Sequence, residues 1–122
     1  MELNSTQVAR YTLGLSWIYH GLFPKLLHVA AIEKQLTATL GFSDDISFWI
    51  TKLAGVSEIV IGLLLIIFYK SRSLILFNIL ALVGLCVFVA VQWPSLLFEA
   101  FNPVTTNFAL IALSLVLYKD AR

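Results

Sequence analysis

Apolar residues in this chain come in four long stretches, Thr6–Phe23, Ile46–Tyr69, Ser73–Gln92 and Pro103–Tyr118, separated by short polar or aromatic segments. A helix rises 1.5 Å per residue, so about 20 residues match a hydrocarbon layer of roughly 30 Å, and each stretch predicts a membrane-spanning helix. Lys70-Ser71-Arg72 is the whole link between the second and third stretches, which predicts a tight antiparallel hairpin; the first and second carry no such constraint. From Pro24 to Asp45 the link is longer, and Val29, Ile32, Leu36 and Leu40 recur at helical spacing against Glu33, Lys34, Thr37 and Thr39. That pattern predicts a short amphipathic helix lying on the outer surface, stopped at Gly41, with Ser43, Asp44 and Asp45 starting the next helix. Asn102 followed by Pro103 is an N-cap followed by proline at the first helical position. The predicted fold is all-α: an integral membrane four-helix transmembrane bundle, one domain over residues 1–122, with a short amphipathic helix in the first outer loop.

Composition sharpens this picture. Hydrophobic residues make up 60% of the chain and charged ones 12%, against about a quarter charged in soluble domains, which excludes an ordinary water-soluble core. A net charge of +1 with no basic run offers no field to nucleic acid. Four spans place both termini on one side. Arg10, Lys70, Arg72, Lys119 and Arg122 fall there, against Lys25, Lys34 and Lys52 opposite, so the positive-inside rule predicts cytoplasmic termini. The single cysteine, Cys86, lies within the third stretch and has no intramolecular disulfide partner. The sequence contains no H-E-x-x-H, no glycine-rich nucleotide loop and no marked nucleophilic serine, so no metal site and no catalytic residue is read from it.

Chemistry concentrates on two helical faces. At 100° per residue, Arg10, Leu13, Gly14, Trp17, His20, Gly21 and Pro24 share an arc of about 120°. Thr51, Ala54, Gly55, Glu58 and Gly62 form a second stripe, whose small residues permit close helix approach; Lys52 lies about 120° away and is expected to snorkel outward. A carboxylate such as Glu58 inside a bilayer costs about 2.5–3.5 kcal/mol on insertion scales, so it calls for a partner, a proton or a purpose. Counting depth along each helix puts Arg10, Glu58 and Asn78 in an inner layer and Trp17, His20, Thr106 and Asn107 in an outer one, with Glu58 and His20 about 9 Å apart along the normal. Arg10 and Glu58 are therefore the candidate structural ion pair. A pocket opening outward between Pro24-Lys25 and Pro103 is the expected site, and Trp17, His20, Lys25, Glu58 and Asn107 are the candidate ligand-binding residues. Each has a plainer alternative: His20 as a helix-to-helix hydrogen-bonding group, Trp17 as an interfacial anchor.

Three segments carry a family resemblance: Trp17-Ile18-Tyr19-His20-Gly21-Leu22-Phe23-Pro24-Lys25-Leu26-Leu27, then Ala54-Gly55-Val56-Ser57-Glu58-Ile59 with Gly62, then Asn102-Pro103-Val104-Thr105-Thr106-Asn107. The chain resembles the DoxX-like family of small bacterial membrane proteins over nearly its whole length. The resemblance implies a four-helix membrane bundle, here in the bacterial inner membrane as a multi-pass protein. Some members of the family serve a thiosulfate:quinone oxidoreductase or accompany redox and detoxification enzymes. It implies no established catalytic residue.

Three functional readings compete. In the first, the chain is a subunit or anchor of a membrane redox or detoxification system and binds a quinone or similar lipophilic molecule, with Trp17 packing on the ring and His20 or Lys25 donating to a carbonyl oxygen. The chain itself holds no cofactor, so a partner protein would bring the electron donor. In the second, it is a proton-coupled small-molecule transporter acting as a homo-oligomer through Glu58. In the third, it is a membrane-embedded enzyme using Glu58 and His20 as acid and base, a reading the 9 Å separation works against.

Overall fold

The computed structural model describes residues 4–27 and 33–121, together with the backbone but not the side chains of residues 31 and 32. It is all-α, with no strand among the described residues. Four long helices, α1 (Ser5–Gly21), α3 (Asp44–Ile67), α4 (Arg72–Gln92) and α5 (Pro103–Asp120), lie within two residues of the predicted stretches at every end. Their starts are set by side chains that accept from otherwise unpaired amides: Asn4 from Gln7 N, Ser43 from Ile46 N, Ser71 from Leu74 N and Asn102 from Thr105 N. Asp44 and Asp45 sit in the first turn of α3, where carboxylates complement the helix dipole.

Chain order does not decide which helices touch. α3 and α4 are joined by a short link yet make little contact, whereas α1 packs extensively on α3 and also on α5, and α4 packs on α5. The expected α3–α4 hairpin is thus loose, and the pair without a predicted contact is the tightest. Glycine is the cause. A Cβ on Gly62 would stand 2.5 Å from Gly14 O, and one on Gly55 would stand 2.8 Å from Gly21 O, so backbone lies on backbone at two levels. Gly14 meets Gly62 and Gly21 meets Gly55, which makes α1 and α3 antiparallel and fixes their register. Gly84 on α4, by contrast, faces open space.

Leu13, Leu65, Ile75 and Leu117 are fully buried where the four helices meet near the chain ends, with Ala9 and Ala121 beside them. Both described ends of the chain are here, since Thr6 Oγ1 donates to Asp120 Oδ2 at 2.7 Å and Arg72 Nε donates to Ala121 O at 2.9 Å. The outside is apolar as well. Trp49, Leu53, Val56, Val60, Leu63 and Ile67 run along one exposed face of α3, and Leu76, Leu80, Val83, Val87 and Val91 along α4. α3 and α4 are long and apolar enough to cross a membrane, and only 22% of each apolar window is buried, unlike the core helix of a soluble protein.

Between α1 and α3 the chain continues as a π-helical segment, Leu22–Leu27, followed by α2 (Ala31–Ala38) and a turn at Gly41, whose φ of 83° suits glycine. The amphipathic helix exists, but it does not simply lie on the outer surface. Leu36 is buried against Val89 and Leu96, so α2 folds back across the end of the bundle. Val29, His28, the Ile32 side chain and Arg122 lie outside the described residues.

Candidate functional site

Beneath α2 lies a cavity of about 470 Å³, within the usual range for small-molecule sites. Each element contributes a wall. α1 and the π-helical segment supply Trp17, His20, Pro24 and Lys25; α3 supplies Ala54 and Glu58; α4 supplies Ala81, Leu82, Leu85 and Phe88; α5 supplies Pro103, Thr106, Asn107 and Leu110; α2 closes it with Glu33, Leu36 and Thr37. The structure therefore brings all five candidate ligand-binding residues, Trp17, His20, Lys25, Glu58 and Asn107, to one space.

Lys25 organises the polar part. It is only 8% exposed, and three oxygens surround its ammonium: Glu33 Oε1 at 2.9 Å, Glu58 Oε2 at 3.0 Å and the backbone carbonyl of His20 at 3.4 Å. The first two are ion pairs, the third a hydrogen bond. Glu58 Oε2 is itself buried and receives no hydrogen bond beyond the approach of Lys25. The π-helical turn that carries Lys25 inward is held by Lys52, whose Nζ donates to Leu26 O at 2.6 Å and lies 5.0 Å over the Phe48 ring. Lys52 thus faces away from the cavity but is tethered to protein rather than snorkelling freely.

The floor is a chain of hydrogen bonds. Trp17 Nε1 donates to Asn78 Oδ1 at 2.6 Å, Asn78 Nδ2 to Ser114 Oγ at 2.7 Å, and Ser114 Oγ to Leu110 O at 2.7 Å. Asn78 and Ser114 are fully buried, so this chain joins α1, α4 and α5 with its polar groups satisfied. Nearby, Asn107 Nδ2 donates to Leu82 O at 3.3 Å, fixing its amide beside the cavity.

Two sequence expectations fail here. Arg10 does not pair with Glu58. The glycine register sets Arg10 opposite Ile66, two turns of α3, or about 12 Å, from Glu58. Its Nε instead donates to Ile66 O at 2.6 Å, its Nη1 to Gln7 Oε1 at 3.0 Å, and its guanidinium lies 4.0 Å from the centre of the Tyr69 ring. Nor do Glu58 and His20 occupy separate layers, because the same register places Glu58 beside the end of α1, where a Cβ on Gly21 would stand 3.1 Å from Glu58 Cβ. Depth counted helix by helix could not see that register. Glu33 was missed as a site residue, since on α2 alone it reads as one more solvated charge; the signal that could have found it is the excess of base, Arg10, His20 and Lys25 in or just after the first stretch, over the single acid Glu58 on the stripe of the second.

A sequence model of the DoxX-like family matches residues 14–115. The chain belongs to the DoxX-like family. The matched region holds the glycine register and every candidate cavity residue, leaving outside it Arg10 and the contacts between the chain ends. As a DoxX-like protein with two helices suited to crossing a bilayer, it is a membrane protein. No curated protein and no solved structure matches it. Among the described residues of this DoxX-like chain, no three of His, Cys, Asp and Glu converge as metal ligands would.

Proposed function

We propose that this protein spans the bacterial inner membrane four times with cytoplasmic termini and holds a quinone-like lipophilic molecule in its outer cavity. On this reading it is the membrane subunit or anchor of a redox or detoxification system, and a partner protein carries the electron-transfer cofactor. The observation behind the reading is the cavity itself, mostly apolar walls with Trp17, His20, Lys25, Glu58 and Asn107 converging on one space. A further support is the weak contact between α3 and α4, both of which line the cavity, since that seam gives an apolar tail a way to the lipid.

A second reading, acid–base catalysis on a lipophilic substrate, gains from the placing of His20 and Glu58 around the same cavity. The proton-coupled transporter has less in its favour, because Glu58 already holds Lys25. The test is purification in native lipid with mass spectrometry of what accompanies the protein, for wild type, His20→Ala and Glu58→Gln. A lipophilic small molecule that is present in wild type and depleted in either variant is the expected result. Wild-type protein carrying bulk lipid alone, and taking up no added quinone or hydroquinone, overturns the proposal.

A further inference from the structure

Resting on the reading that a lipophilic molecule occupies the cavity, we infer that its head group is a hydrogen-bond donor: the hydroxyls of a reduced aromatic diol rather than the carbonyls of its oxidised form. The donors and acceptors around the space, counted among the described residues, decide this. An ammonium has three N–H groups, and Lys25 has three oxygens around it, on Glu33, Glu58 and His20. It has none left for a ligand carbonyl. The Trp17 N–H is taken by Asn78, the Thr37 hydroxyl by the Glu33 and Lys34 carbonyls, and the Thr106 hydroxyl by Asn102 O.

What remains is weighted toward acceptors. His20 and Asn107 each keep an N–H, but each also keeps an acceptor on the same side chain, so they favour neither kind of ligand. The carboxylates tip the balance. Glu33 and Glu58 together offer four oxygens, two of which face one shared ammonium, and both side chains line the cavity. A carbonyl head group would set its oxygen against those carboxylates with no hydrogen between them. A hydroxyl would donate to one. A second cation is disfavoured because the walls apart from the two carboxylates are mostly apolar and would leave it poorly solvated. A neutral hydroxyl on an apolar body is the head that fits. Lys25 then positions the two carboxylates as acceptors and does not bind the ligand.

The experiment is anaerobic equilibrium binding to the intact protein in lipid nanodiscs, using three probes with one tail: a quinone, its two-electron-reduced hydroquinone, and the dimethyl ether of that hydroquinone. The hydroquinone should bind at least about tenfold more tightly than either of the others, since a hydrogen bond to a carboxylate in a dry site discriminates on that scale. In Glu58→Gln and Glu33→Gln, where Lys25 keeps one carboxylate and the fold is retained, the preference should fall to about threefold or less in at least one variant. Equal binding of the three probes, tighter binding of the quinone, or a preference untouched by both substitutions overturns this inference alone. Binding of none of the three overturns both it and the reading on which it rests.

Discussion

The two ends of the bundle each hold a cation, and they do so in opposite ways. At the end that gathers the chain termini, Arg10 is satisfied by a carbonyl, an amide oxygen and the face of Tyr69, with no carboxylate paired to it among the described residues. At the other end, Lys25 is held by two carboxylates next to about 470 Å³ of cavity. A guanidinium can spread its five donors over neutral groups, whereas a compact ammonium draws charge to itself. The first arrangement is chemically finished. The second leaves spare acceptors facing a void, and the coincidence of unused polar capacity with room is what distinguishes a site from a structural contact.

The most severe way to break that contrast is Lys25→Met, which strands two carboxylates around one apolar side chain. Removing one partner of a buried ion pair costs about 3–5 kcal/mol, so denaturation in detergent should show a loss of that order. Adding Glu33→Gln and Glu58→Gln to Lys25→Met should restore part of it; no recovery would mean that Lys25 acts through packing instead. Gly62→Leu attacks the register shared by both ends. Overpacking against Gly14 should cost about 3 kcal/mol and lower the unfolding midpoint.

A sharper comparison comes from pairs. Glu58→Gln and Lys25→Met should be coupled by about 1 kcal/mol or more, while Glu58→Gln and Arg10→Met should add to within about 0.5 kcal/mol, because the two ends share no partner. Coupling between Arg10 and Glu58 in a double-mutant cycle would contradict the register described above. The smallest effect belongs to Phe101→Ser. Phe101 is 100% exposed in the link between α4 and α5, and stability in detergent should change by no more than about 0.5 kcal/mol.

Much of this was legible in the sequence for reasons that are local. Caps at Ser43 and Asn102, the stop at Gly41 and the four apolar stretches depend on neighbours within a few residues. The glycine stripes on α1 and α3 were visible as faces, and so were the five residues later found around the cavity. What could not be read was height. Whether Glu58 meets Arg10 or Lys25 depends on how far α1 slides along α3, and only the backbone contacts at Gly14–Gly62 and Gly21–Gly55 settle that. The roofing role of α2 was hidden similarly, because Leu36 finds its partners on α4 and in the loop beyond it, more than 50 residues away.

The central place of α1 has a consequence for how the protein is made. Of the described helices it is synthesised first, yet its closest partner, α3, emerges only after the π-helical segment and α2, and Trp17 reaches Ser114 only through Asn78 once α5 has left the ribosome. Until then a helix bearing Arg10 and His20 has its polar face uncovered. Assembly of this small bundle is accordingly completed from its last helix backward, and a nascent chain arrested before Pro103 should expose the face of α1 that the finished protein conceals.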